Sequence, residues 1–594
     1  MADAKREREK CDLIMKGGIT SGVAYPAAVM RLSQRYDFAS IGGSSAGAIA
    51  AAVTAAAQFA RNDKGFERLD DVRRELQTPD LMPRLFQATK ESRPLLNLML
   101  AAQTAKPWWR KVRVFAHRVL GRLALPAAVW LSAGFAVLAL LLGRAGATWS
   151  SFTWRAYVLL GFVLLFLFVL ALVGQIALRL GRAVTTYLPT SNYGMCLGLS
   201  EQAGDPPPPA LTEWLHQKIQ GIAGLDAGEP LTFRALRDKG IRLTMTTTNL
   251  TWSRPVRLPC DDQTYYLDVD EFRALFPEPV IAHLVACGQE RAQTFPTPEG
   301  ERTLLPLPGL DLPVIVATRM SLSFPVLLAA VPLWAEDPDG TARRHWFSDG
   351  GISSNFPIHL FDAWVPTRPT FGLNLVQIDR NNPSKEAADY VQTYMDGPPP
   401  PTTVPIRSLA GFLGQIVATM QNWRDTLQSE LTGFHDRIAH IELSSKEGGL
   451  NITMPADVIA FIDEKGARAG EELRDDFVWE KHQARRYEVF MGMLQDGLSP
   501  PQGDRAGRPR TVQDAWNAGL ADRIACYAQQ PPAGGRLPEW YAAAGPATAA
   551  LLRDADQWLG TLPPTDGDDA TVELKFRPDQ PLRPPACMRI SPDV

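Results

Sequence analysis

Between Cys11 and Ala57 the chain alternates apolar runs with glycine-bearing punctuation, in an order that leaves few folds open. Cys11–Met15 (CDLIM) reads as a short buried strand, KGGITSG from Lys16 as a tight glycine loop, and Ala24–Gln34 as a helix. Phe38–Ile41 reads as a second strand and Ala46–Ala57 (AGAIAAAVTAAA) as an alanine-rich helix without a charge. Strand, loop, helix, strand, helix is the beginning of an α/β fold.

That order is interrupted from about Gly65 to Ser200 by mostly helical sequence holding two uncharged apolar runs, Leu123–Leu142 and Ala156–Leu178. At about 1.5 Å per residue, twenty residues cover roughly 30 Å, the thickness of a bilayer's hydrocarbon. Between the runs stand Trp149 and Trp154 with only Arg144 and Arg155, whereas the outer flanks carry Lys106, Arg110, Lys111, Arg113, Arg118, Arg122, Arg179 and Arg182. The positive-inside rule then predicts a transmembrane hairpin with both flanks in the cytoplasm. The expectation is an integral protein of the cytoplasmic (inner) membrane whose α/β domain faces the cytoplasm. Two very apolar core helices, or a hairpin dipping into one leaflet, are the alternatives. Ahead of the first run, Trp108, Val112, Phe115 and Val119 share one helical face among basic residues. That pattern suits an anionic lipid surface, or a helix packing its apolar stripe on the domain.

After PPPP at Pro206–Pro209 the α/β pattern resumes, with Ile241–Thr248, Leu312–Ala317, Thr370–Ile378 and Arg437–Leu443 reading as strands. Beyond Asn451 the sequence is helical, at Ala456–Asp476 and Trp479–Gln495, and ends in a Gly- and Pro-rich tail. The 594 residues exceed what one core usually holds. The expected division is 10–64, opening segment of the α/β domain; 65–200, helical insertion with membrane helices at 123–142 and 156–178; 201–450, remainder of the α/β domain; and 451–594, helical extension and tail. A net charge of −3 gives no basic excess for nucleic acid, so no nucleic-acid partner is expected. Six scattered cysteines without a C-x-x-C pair fit neither a zinc site nor a disulfide scaffold, and no metal or other cofactor is expected. The charged start MADAKREREK shows no signal-peptide core, which also predicts a cytoplasmic beginning.

The chemistry gathers at Gly43-Ser44-Ser45-Ala46-Gly47, a G-x-S-x-G pattern fed by an apolar strand and left by a small-residue helix. A nucleophile elbow needs this context, because the glycines let strand and helix approach while Ser45 is pushed outward. Ser44 is in the wrong register. A serine hydroxyl also needs a base. His359, His435, His440 and His482 lie downstream, but none carries a local pattern that marks a catalytic role. Asp349, followed by Gly350 and Gly351, can lie at a strand tip with little steric cover and reach another strand's elbow; a plain Asp-Gly turn is the competing reading. GGITSG lacks the G-x-G of a dinucleotide loop.

Three blocks in this order, Gly17 to Gly22, Gly43 to Gly47 and Asp349-Gly350-Gly351, resemble a patatin-like phospholipase, supported by TTTNLT from Thr246 and SLSFPVLLAAVPL from Ser321. The resemblance spans about Cys11 to Ile378. It implies a three-layer α/β/α sandwich, here interrupted by the hairpin and followed by the helical extension. It also implies a Ser45–Asp349 dyad acting on acyl esters of membrane phospholipid through an acyl-enzyme. The oxyanion hole would come from the backbone of Gly17, Gly18 and Ile19, with Gly43, Gly47, Gly350 and Gly351 as structural support. Ile19 and Ser21 depart from the family's G-G-G-x-[RK]-G, and Lys16 is the candidate to replace the missing positive charge. A degenerate scaffold or pore module, and a conventional Ser-Asp-His esterase, are the alternative readings.

Overall fold

The computed structural model describes residues 8–104, scattered positions between 162 and 178, 181–498 and 513–560, apart from short gaps that include residue 19. Its strands are β1 (Glu9–Met15), β2 (Tyr36–Ser44), β3 (Gly194–Cys196), β4 (Arg242–Asn249), β5 (Arg254–Leu258), β6 (Tyr266–Leu267), β7 (Gln293–Thr297), β8 (Gly300–Pro306), β9 (Val326–Leu328), β10 (Val331–Glu336), β11 (Ala342–Ser348), β12 (Thr370–Gln377), β13 (Val391–Thr393) and β14 (Ile438–Leu443). Twelve form one sheet in the order β13-β14-β12-β1-β2-β4-β11-β10-β6-β8-β7, with β5 also paired to β4, while β3 and β9 pair separately.

The centre, β14-β12-β1-β2-β4, is parallel. Such strands are covered on both faces and so carry near-continuous apolar sequence. In β1, Cys11, Leu13 and Met15 join the main core, while Ile14 points to the other face and packs with Phe356, Ile358 and Ile438. This is the two-residue alternation of a strand. The β4–β11 half is antiparallel, so the chain is a mixed α/β protein with a large sheet.

Helix Tyr25–Leu32 links β1 to β2, and helix Ala46–Phe59 follows β2. Helix Ala456–Asp475 lies against Tyr25–Leu32 at close range: a Cβ on Gly466 would come 1.9 Å from the Ala24 carbonyl oxygen, and one on Gly470 would come 2.4 Å from that of Ala28. Ile459, Ile462, Ala469 and Leu473 of this helix belong to the main core. The extension expected from residue 451 thus contributes this helix to the core.

Two expectations are corrected here. Leu312–Ala317 is not a strand, since Val314–Ser321 is a fully buried helix that starts directly after Pro313. A short β-branched run buried on all sides has no periodicity that separates strand from helix. The transmembrane hairpin is overturned as an element of the fold, because no helix among the described residues is long and apolar enough to cross a membrane. The run 123–142, and most of 156–178, lie outside the described residues. Lack of charge is a property of composition, whereas crossing requires one unbroken apolar helix of about 20 residues.

Candidate active site

The site lies where the parallel strands β1, β2 and β4 end. Strand β2 runs beside β4 until Ser44 stands opposite Thr246. Strand β11 runs the other way until Ser348 stands opposite Thr248. Each chain thus leaves β4 beside Thr247, and the next residues, Ser45 and Asp349, meet there. The Ser45 Oγ donates to Asp349 Oδ2 at 2.6 Å.

Ser45 has φ 56° and ψ −129°, a backbone conformation that a side chain disfavours, and helix Ala46–Phe59 starts at the next residue. The turn closes only with glycine at its two flanks. A Cβ on Gly43 would lie 2.3 Å from the Gly47 carbonyl oxygen, and one on Gly47 would lie 2.2 Å from that of Met15. A Cβ on Gly350 would lie 2.1 Å from the Thr246 carbonyl oxygen, and one on Gly351 would lie 2.7 Å from Asn355 Oδ1. All four glycines named from sequence therefore sit at close backbone or side-chain approaches.

Asp349 is held from several sides. Its Oδ1 accepts from Gly351 N–H at 2.7 Å, its own N–H donates to the Ser323 carbonyl at 3.0 Å, and its carbonyl accepts from Thr248 Oγ1 at 2.9 Å. Asp349 is 3% exposed and Ser45 4%. Burial pushes the Asp349 carboxyl up to about 7, while the hydrogen bonds from Ser45 and Gly351 pull it back. A carboxylate poised there accepts a proton near neutral pH far better than one at its ordinary value.

The last turn of the buried helix Val314–Ser321 and the residues just after it support the site. Ser321 Oγ accepts from Ser45 N–H at 3.1 Å and donates to the Thr246 carbonyl at 2.6 Å. Arg319, wholly buried, donates to Ser323 Oγ at 2.6 Å and to the Ala329 carbonyl at 3.0 Å. Burial lowers its guanidinium to about 10, which leaves it charged at neutral pH. The stretch from Ser321 was legible as a motif, but the role of Arg319 depends on a three-dimensional neighbourhood.

Of the expected oxyanion hole, Gly17 is found with its N–H engaged elsewhere. Gly17 packs against the site, since a Cβ there would be 2.9 Å from Ser45 Cβ, but its N–H already donates to the Asn355 carbonyl at 2.8 Å. It is therefore occupied in this structure. Gly18 lies beside Ser21, whose Oγ would be 2.7 Å from an added Cβ, and Ile19 lies outside the described residues. Lys16, the candidate substitute charge, ends in buried surroundings at the close of β1. Burial lowers its ammonium to about 8, while the field of the Asp425 carboxylate pulls it back up. Asp425, on helix Leu409–Glu430, accepts from the N–H groups of Asn355 (2.6 Å) and Phe356 (2.7 Å). It thereby holds the segment whose carbonyl engages Gly17.

The histidines lie elsewhere. His435 Nδ1 contacts the Tyr394 carbonyl at 2.7 Å, His440 Nδ1 contacts Asn374 Nδ2 at 3.1 Å, and His482 Nδ1 contacts Asp436 at 3.0 Å. His359 sits on the turn Ile358–Phe361. The hydrogen-bond partner of Ser45 Oγ is a carboxylate, so a Ser-Asp-His arrangement is not what the fold assembles. Among the described residues, no group of three or more His, Cys, Asp or Glu side chains could hold a metal ion.

Fold and site together define an α/β protein with a serine–aspartate pair at a strained strand-to-helix turn. No family model matches the chain. It is 32% identical over 647 aligned positions to the RpoH suppressor of Rhizobium meliloti (strain 1021), covering 94% of this chain and 97% of that protein. The chain belongs to the family of that protein. The crystal structure of VipD from Legionella pneumophila aligns with 94% of this chain and 81% of its own, at 13% identity and a TM-score of 0.28. A likeness that slight carries no argument.

Proposed function

We propose that the chain is a serine acyl hydrolase in which Ser45 is the nucleophile and Asp349 the base. The observation that carries this reading is the 2.6 Å hydrogen bond from Ser45 Oγ to a buried carboxylate pushed up to about 7. Asp349 takes the Ser45 proton as Oγ attacks an ester carbonyl, then returns it to the departing alcohol. Water, deprotonated by the same carboxylate, releases the acid. The negative charge on the carbonyl oxygen is met by backbone N–H groups, for which the Gly18 loop and the first turn of helix Ala46–Phe59 are nearest in the chain. The resemblance of the three blocks to patatin-like phospholipases supports carboxylic esters of lipids as the substrate class.

The test is fatty acid release from phospholipid vesicles by wild type, Ser45→Ala and Asp349→Asn. Release by wild type, reduced about 10³-fold or more in both variants, is expected; equal release by all three overturns the dyad. A second reading, a degenerate scaffold without turnover, is favoured by the engaged Gly17 N–H and by the burial of Ser45. It predicts that a fluorophosphonate probe leaves Ser45 unlabelled, whereas an active elbow is labelled covalently.

A further inference from the structure

A cleft of about 630 Å³, bordered by neither Ser45 nor Asp349, lies along the start of β4 and along β5. Arg237, Arg242, Arg254 and Arg257 line it, with no carboxylate among its described lining residues. Three other arginines are paired: Arg234, close in sequence to Arg237, meets Asp311 at 2.5 Å, Arg302 meets Asp268 at 2.7 Å, and Arg344 meets Glu271 at 2.6 Å. Arg237, Arg242 and Arg254 have no such ion pair among the described residues. Two of them lie on aromatic faces instead, Arg242 at 5.6 Å from the Phe361 ring centre and Arg254 at 4.5 Å from that of Trp252. Asp261 and Asp262, which follow Cys260 of the cleft wall, lie outside the described residues.

Like charges gathered in one concavity repel, and the convergence of Arg237, Arg242 and Arg254, which meet no carboxylate among the described residues, is best relieved by an anion. The arginines at its edge are largely exposed, whereas Phe233 and Tyr265 in its lining are buried. Its size falls within the range of small-molecule sites. Arginine forks match phosphate oxygens two bonds at a time. Several guanidiniums also suit the double charge of a phosphate monoester or diphosphate better than the single charge of a carboxylate.

We propose that this cleft binds an organic phosphate, with the phosphate on the arginine rim and an apolar or aromatic body on the floor. Such a group could arrive on a soluble nucleotide or on a lipid headgroup, and the experiment separates the two. Full-length protein is titrated with ADP, with adenosine, and with phosphatidylcholine vesicles lacking or containing phosphatidic acid. Each titration is followed by calorimetry or by co-sedimentation. Saturable binding of ADP, or of vesicles only when they contain phosphatidic acid, is expected and identifies the source. The exposed-site double variant Arg242→Glu/Arg254→Glu should weaken that binding by at least about tenfold, and Ser45→Ala should leave it unchanged. The proposal is overturned if neither phosphate-bearing probe binds saturably, if adenosine binds as well as ADP, or if the double variant binds as tightly as wild type.

Discussion

Ser45 donates its hydroxyl to Asp349 at 2.6 Å across 304 residues of sequence, because β2 and β11 approach Thr247 of β4 from opposite ends. The pair is the product of two strand registers, and its consequences can be measured.

The first concerns pH. Burial raises the Asp349 carboxyl in the folded protein to about 7, against an ordinary value near 3.8. In the proposed role of base it must be ionised, so kcat/KM should fall as pH drops through about 7. For stability the sign is opposite to that of a salt-bridged carboxylate. Between about 4 and 7 the folded state holds a proton that the unfolded chain has released, so this group's contribution falls as pH rises through that window, by an amount on the order of a few kcal/mol. Asp349→Asn should therefore raise Tm over wild type at pH 8 and lose that advantage at pH 4.5. A wild-type advantage at pH 8 would contradict a desolvated carboxylate.

The backbone of Ser45 carries strain that glycine does not feel, at φ 56° and ψ −129°. Both Ser45→Gly and Ser45→Ala remove the hydroxyl, so their difference isolates the conformation. Urea unfolding should find the Gly variant more stable than the Ala variant by about 1 kcal/mol.

Asp425 links a peripheral helix to the site by accepting the Asn355 and Phe356 N–H groups. Asp425→Ala leaves these buried donors unpaired and should cost about 1–3 kcal/mol. Because the Asn355 carbonyl engages Gly17, kcat should fall more than KM rises. Unchanged steady-state kinetics in the folded variant would show that the Gly17 loop is positioned without Asp425.

Gly466 tests whether helix Ala456–Asp475 belongs to the core. The smallest added side chain would come 1.9 Å from the Ala24 carbonyl oxygen, so Gly466→Ala must push the two helices away from each other. A loss of about 2–3 kcal/mol is expected in chemical denaturation, and a chain ending at residue 451 should fail to fold cooperatively. Cooperative folding of that shortened chain would show that this helix is dispensable to the core.

How much could be read in advance followed the range of the interactions. The strand–Ser45–helix turn was legible because its requirements are local: an apolar run before Gly43, small residues after it, and glycines where backbones nearly touch. Asp349 was legible through its Asp-Gly-Gly block, yet its distance from Ser45 was not. LPVIVA misled because a short apolar run buried on every side looks alike as strand and helix. The uncharged runs gave a membrane hairpin from composition alone, and no helix among the described residues is long and apolar enough to cross a membrane. Arg319, Ser321 and Asp425 act on the site through partners distant in sequence, and only Ser321 lay in a stretch that drew notice.

By itself, then, the sequence determined the α/β beginning, the elbow and a short set of candidate bases, since propensity, periodicity and steric need act within a few residues. Only the tertiary structure decided that Ser45 meets Asp349 rather than a histidine, that the Gly17 N–H is spent on Asn355, and that residues 456–475 complete the core. Each of those outcomes depends on strand register and on packing between segments far apart in the chain, and neither is written in any one of the segments.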